Sequence, residues 1–300
     1  MVGTPAGRLT RAAALAVCGI VLAATPGPWG RHGHVTAGGA AAIDLPPGMP
    51  DFFRAAEDQL AYLNYEPDRW RDPDSTEMDE GFRYDHYLDL ENVPEAARAA
   101  PDRFTYIEAL YRQTDLAMPQ RDGGFLPFRI LELHQRLQSG FQRWRVAEGD
   151  ERDWIAQRII NDAGVLGHYV ADGSQPHHST IHFNGWDRDA PNPRGFSLER
   201  DFHARFESGF VQANVELDDV LSLIAAEPRH LDDVHDQVWA YLLGSNEKVT
   251  RLYELEQEFG FVPDRPHAET KAFAVERLAA GANMLRDLWW TAWLESAGEP

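Results

Sequence analysis

Residues 155–178, IAQRIINDAGVLGHYVADGSQPHH, decide how this chain folds. Apolar side chains recur at Ile155, Ile159, Leu166 and Val170. Steps of four and seven residues put such a stripe on one face of an α-helix. Gly173 and Pro176 then turn the chain, as residues of those types do at helix ends. His168 and Asp172 lie four positions apart just before that turn, so both project from one helix face, and His178 follows directly after it.

The same spacing extends outward in both directions. Ile130, Leu133, Leu137, Phe141 and Trp144 form a second stripe. Helical stretches are also expected over 47–63, 103–114, 198–226, 231–259 and 267–294, and alternating strand patterns are scarce. The chain is therefore expected to be all-α, a single-domain helical bundle, since no bland linker or internal repeat divides it. Residues 66–85 and 173–197 read as long loops, and loops of that length usually carry function. The charged face over 246–258 reads as solvated surface, and Trp289, Trp290 and Trp293 as core.

With 300 residues, 43% of them hydrophobic, the chain is long enough to bury a full core. Its net charge of −20 repels polyanions such as duplex DNA at long range. Arg8 and Arg11 precede an apolar run over 12–24, which is the pattern of a secretory signal peptide and too short to span a membrane. The leader is expected to occupy 1–28, or 1–24 followed by a short pro-segment, 25–28. Cys18, the one cysteine, lies inside it, and Val17 ahead of it argues against a lipid anchor. What remains, 29–300, is expected to be a secreted or periplasmic domain with no disulfide, no transmembrane anchor and no obligate protein partner.

Twelve histidines move the chemistry towards imidazole and carboxylate. His203 and Glu207 repeat the four-residue spacing of His168 and Asp172, and each pair can grip one metal ion. With 48 acids in 300 residues, about two such pairs arise by chance, so the pairs alone decide little. Their surroundings carry more: Trp29, Gly30, Gly33 and His34 stand just behind the leader, Asp72 and His86 flank the acidic loop, and Gln175, Pro176 and His178 follow Asp172.

In that order and spacing the chain resembles the superfamily of zinc-dependent phospholipases C and single-strand nucleases of the S-one and P-one type. The resemblance covers Trp29 to about Glu207 and rests on several motifs. These are the Trp-Gly-x-x-Gly-His start, Asp72, the His-Tyr-Leu-Asp run from His86, the His-x-x-x-Asp-x-x-Gln-Pro-x-His run from His168, and the pair His203 and Glu207. It implies a helical fold holding three zinc ions. Asp72, His86, His168 and Asp172 would bind one; Trp29, through its free amine and carbonyl, His34 and Asp172 a second; and His178, His203 and Glu207 the third. Asp172 would bridge the first two, and with Asp72 would serve the catalytic pair directly.

Imidazole and carboxylate donors suit zinc, and a close zinc pair can activate water for attack on a phosphate ester. The expected function is thus a trinuclear-zinc phosphodiesterase acting on phospholipid or single-stranded nucleic acid. Glu207, where the nucleases have aspartate, and the acidic surface lean towards phospholipase C; the His86 run and the step from Trp29 to His34 look like the nucleases. A helical protein that binds zinc without catalysis is the rival of another class. His134, His230, His235 and His267 read as surface or boundary groups, while His32, His177 and His182 lie near the motifs at positions the family spacing passes over.

Overall fold

A computed structural model gives the chain over residues 29–72 and 74–298; the leader reading, Cys18 included, lies outside these described residues. The architecture is all-α. Among the described residues there is no strand, only an isolated bridge between Phe183 and Gly185. The main helices are α1 (Gly30–Ala42), α2 (Glu57–Leu63), α3 (Arg103–Gln113), α4 (Leu126–Val146), α5 (Gly149–Ser174), α6 (Val234–Asn246), α7 (Val249–Phe259) and α8 (Ala268–Glu295). None of the described helices is long and apolar enough to cross a membrane.

Helix α5 is the centre of the bundle. From Ala163 to Ser174 every residue of it is buried, so this helix must be covered on all sides and its polar groups must find partners inside. Helices α1, α2, α4 and α8 pack around it. Trp289 of α8 is fully buried, and its indole donates to the Ala163 carbonyl at 3.3 Å. Elsewhere the ends are fixed locally. The Asp102 carboxylate caps α3 by accepting from the amides of Phe104 and Thr105, at 2.8 and 2.9 Å, which satisfies donors left free in a first helical turn.

Two glycines position the site. A Cβ on Gly38 of α1 would lie 2.7 Å from the Asn64 side chain, and one on Gly167 of α5 only 2.3 Å from it. Small residues at both places let α1 and α5 close over Asn64, which is fully buried at the end of α2. Helix α1 was not expected from sequence. Its core-facing side is built from Gly33, Thr36, Ala37, Ala40 and Ala41 rather than from large apolar groups, so it shows no apolar stripe to detect.

The two expected loops are partly helical. Residues 66–85 contain the 3-10 turn Pro67–Trp70 and the short helix Thr76–Phe82, and the 3-10 turn Arg83–His86 completes the segment. Residues 173–197 begin with the end of α5 and the 3-10 turn Pro176–Ser179, then run irregularly. The expected helix over 198–226 starts at Phe202 and passes through a π-helical turn, Arg205–Val211, a rare conformation that clusters at functional sites.

Candidate metal centre

Asp172 sits at zero exposure on α5 with four imidazoles around its carboxylate. Oδ2 faces His86 Nδ1 at 3.1 Å and His168 Nε2 at 3.3 Å, while Oδ1 faces His34 Nε2 at 3.4 Å and His178 Nδ1 at 3.5 Å. Oδ2 thus faces His86 and His168 and Oδ1 faces His34, the arrangement a carboxylate needs to bridge two cations. The rings crowd one another: His34 stacks on His168 with centroids 3.9 Å apart, and His86 Nδ1 approaches His168 Nε2 at 3.0 Å.

Buried partners set the orientation of these rings. Asn64 serves two of them, its backbone carbonyl lying 2.8 Å from His168 Nδ1 and its side-chain oxygen 3.3 Å from His34 Nδ1. The His86 carbonyl lies 2.6 Å from His178 Nδ1. A carbonyl only accepts, so Nδ1 carries the proton in each ring and the Nε2 lone pair is left facing inward. The glycine-lined crossing of α1 and α5 thus ends as an orientation of two histidines.

Electrostatics give the same donor states for His86 and His168, whereas at His34 burial is outweighed by Asp172, Asp68 and Glu207, which hold that ring above the ordinary imidazole value. Burial pushes His86 down to about 4 and His168 well below the ordinary imidazole value, with His34 adding to the effect on His168. Burial opposes ionisation of Asp172, yet His168, His178 and His34 outweigh it and hold the carboxyl well below its usual range. Neutral imidazole and ionised carboxylate are the forms that bind metal.

A second group lies beside the first. His203 Nε2 is 2.7 Å from Glu207 Oε1, and both belong to the helical stretch 202–214 that contains the π-helical turn. The Gln175 amide donates to the same oxygen at 2.6 Å. His178 joins the two groups, its Nε2 lying 4.0 Å from Glu207 Oε1.

Trp29 enters this region through its side chain. Its indole is fully buried and donates to the Ala171 carbonyl at 2.8 Å and to Ser174 Oγ at 3.2 Å, against the turn of α5 that holds Asp172. Eight of the nine expected residues, all but Asp72, are therefore in or against one site. Asp72 is exposed, and its Oδ1 accepts from the Asp74 amide at 2.9 Å in a local turn.

Asp68 occupies the place expected for Asp72. The 3-10 turn Pro67–Trp70 points it inward, with a side chain only 3% exposed and Oδ1 3.9 Å from His168 Nε2. Burial, with Asp172 and Glu207 adding, pushes this carboxyl up to about 7 against the opposing pull of His34. No spacing separates it from Asp72, since Leu60, Asn64, Asp68 and Asp72 all stand four residues apart. His177 also departs from expectation, since it is buried beside His203 and Glu207. His32 is tied to the Val215 carbonyl at 2.7 Å, and the His182 ring stacks on Trp186 with centroids 3.7 Å apart.

The site opens into a cleft of about 640 Å³. His86, His178 and His203 line it, and Arg71, Arg83, Arg121 and Arg200 bring four cations to it. Arg71 pairs with Asp68 at 3.6 Å, Arg83 with Asp79 at 2.6 Å and Arg121 with Asp122 at 2.7 Å, while Arg200 reaches the Asn184 carbonyl at 3.5 Å. Tyr87 and the half-exposed Phe183 add flat aromatic surface. Asp89, Asp122 and Asp201 line the cleft as well, so it brings charges of both signs beside its aromatic surface.

No protein-family model matches the chain, and no curated protein matches it. Among solved structures the alpha toxin from Clostridium absonum is similar, with 12% sequence identity and a TM-score of 0.43. The match covers 90% of this chain, which spans 66% of the toxin chain's length. The site described above stands on its own geometry.

Proposed function

We propose that this chain is a secreted zinc-dependent phosphodiesterase that holds three zinc ions on the floor of its arginine-lined cleft. One observation carries the reading. Inward-facing donor atoms of His34, Asp68, His86, Asp172, His178 and Glu207 are buried without a hydrogen-bond partner, and they converge on adjacent groups. Each unpartnered buried polar atom costs about 1–3 kcal/mol, so a cluster of them fits a fold completed by cations. The donor set of imidazole and carboxylate fits zinc.

Asp68, His86, His168 and Asp172 would hold one ion, His34 and Asp172 a second, and His178, His203 and Glu207 the third. Ions so held supply Lewis-acid activation of water and neutralise charge developing on a phosphoryl group. The protein's own part is positional. Asp172 keeps the first two groups in register, Asn64 aims His34 and His168, and the arginines draw the phosphate onto the floor of the cleft. Hydrolysis of bis-p-nitrophenyl phosphate that is lost on chelation and regained with Zn²⁺ is the expected result. Zinc bound without turnover would leave a metal-binding protein, and turnover indifferent to chelators would overturn the reading.

The cleft also bears on which ester is cut. Glu207 and the acidic surface lean towards phospholipid, but Tyr87 and Phe183 beside Arg200, which lacks a carboxylate partner among the described residues, suit a strand with bases to stack and a phosphate to bind. Single-stranded nucleic acid is therefore the substrate this site favours. At matched phosphate, an oligonucleotide should be cleaved at least about tenfold faster than phosphatidylcholine, the worth of one charge-assisted contact. Faster lipid hydrolysis would restore the phospholipase reading and leave the zinc chemistry standing.

The mature chain is proposed to begin at Trp29, whose free amine would complete the His34 group. A peptide nitrogen is a poor donor at neutral pH. Protein carrying residues ahead of Trp29 should accordingly contain one zinc ion fewer, by elemental analysis, than protein starting there. Equal zinc counts in the two forms would remove Trp29 from the ligand set.

A further inference from the structure

His177 has no role in the family spacing, yet it is among the most enclosed polar groups of the site. It is 1% exposed, and neither Nδ1 nor Nε2 has a hydrogen-bond partner. Phe202 and Tyr253 wall the ring, at centroid distances of 5.2 and 6.3 Å, and His203 lies at 4.7 Å. A position that served only packing would be better filled by an apolar ring, because a buried imidazole with both nitrogens unsatisfied is penalised. One donor nitrogen of His177, one of His203 and one oxygen of Glu207 lie within 4.8 Å of each other. Three donors at that separation can share one ion.

We infer that His177 is a fourth protein ligand of the separate cation site, beside His178, His203 and Glu207. The inference rests on the three-ion reading and deepens it. His177 and His178 are neighbours on the 3-10 turn Pro176–Ser179, and they approach Glu207 from different sides: His178 from the Asp172 group and His177 from the Phe202 wall. His178 keeps Nδ1 on the His86 carbonyl, which leaves Nε2 as its donor.

Four protein donors close a tetrahedral zinc site, whereas catalytic zinc keeps a position open for water. This ion would then be structural, fastening the turn after α5 to the π-helical segment that carries Glu207, two stretches about thirty residues apart in the chain. Open coordination positions would belong to the ions flanking Asp172.

The test uses the full mature protein reconstituted with Co²⁺, whose visible absorption is much stronger for four-coordinate than for five- or six-coordinate ions. The parent should show one intense four-coordinate signal. His177→Gln and His177→Phe should both lose most of it, release one equivalent at about tenfold lower chelator concentration or less, and keep the other two. The Phe variant preserves the packing of the ring and the Gln variant its polarity, so a loss common to both reports ligation. A parent lacking the intense signal, or either folded variant retaining three ions at parental affinity with an unchanged spectrum, would overturn the fourth-ligand role and leave the three-ion reading intact. A parent that binds no cation would overturn both.

Discussion

Asp172→Asn is expected to lower phosphodiester hydrolysis by about a thousandfold or more and to strip two of the three zinc ions proposed for the site. The substitution is nearly isosteric, so packing around α5 should survive. What changes is charge: the carboxylate whose two oxygens lie 3.1–3.5 Å from four imidazoles becomes a neutral amide, one end of which can only donate. An NH2 group facing the cation repels it, and among the described residues no other carboxylate spans both groups. Loss of the paired ions removes several kcal/mol of transition-state stabilisation, and each 1.36 kcal/mol is tenfold in rate. A variant with three zinc ions and parental turnover would show that Asp172 is not the bridge.

Asp68→Asn and Asp72→Asn should separate cleanly. Asp68 is buried against His168 with no hydrogen bond to either oxygen and only the Arg71 guanidinium at 3.6 Å, so its loss should release one zinc ion and reduce activity by about a hundredfold. Asp72 lies on the surface, holding only its own turn through the Asp74 amide, and its substitution should change activity by less than about twofold. Zinc content and initial rates of the two variants, measured side by side, check this. The opposite ranking would restore Asp72 to the centre and mean that the Pro67–Trp70 turn is oriented differently in solution.

That contrast also shows how far a sequence can be read. The helical fold was legible because α4, α5 and α8 carry large apolar residues at helical spacing, and burial requires such a stripe. His168 with Asp172, and His203 with Glu207, were legible because four residues along a helix fixes two side chains on one face. Helix α1 was not, since its contacts are made by glycine and alanine and its close approach to Asn64 depends on the absence of a side chain at Gly38. Asp68 was missed because two acidic residues four apart, Asp68 and Asp72, differ only in the 3-10 turn that aims the first inward. Neither charge nor spacing distinguishes them, since Leu60, Asn64, Asp68 and Asp72 all stand four residues apart; only the turn Pro67–Trp70 does. His177 was passed over because it precedes the motif histidine by one position, and only the tertiary wall of Phe202 and Tyr253 turns it towards Glu207.

The Asn64 contacts belong to the same class of hidden information. An asparagine at the end of a short helix gives no sequence signal for a metal site, but here one residue sets the orientation of two histidines, through a backbone carbonyl and a side-chain amide. Its position depends in turn on Gly38 and Gly167, so the geometry of the site is fixed two steps back, in the packing of α1 against α5.

Anomalous X-ray diffraction collected on either side of the zinc absorption edge, from crystals of protein beginning at Trp29, tests the central claim most directly. Three peaks are expected: two flanking the Asp172 carboxylate, one towards Asp68, His86 and His168 and one towards His34, and a third beside His203 and Glu207. An anomalous map with no zinc peak at these side chains, from protein that had been supplied with the metal, would contradict the account.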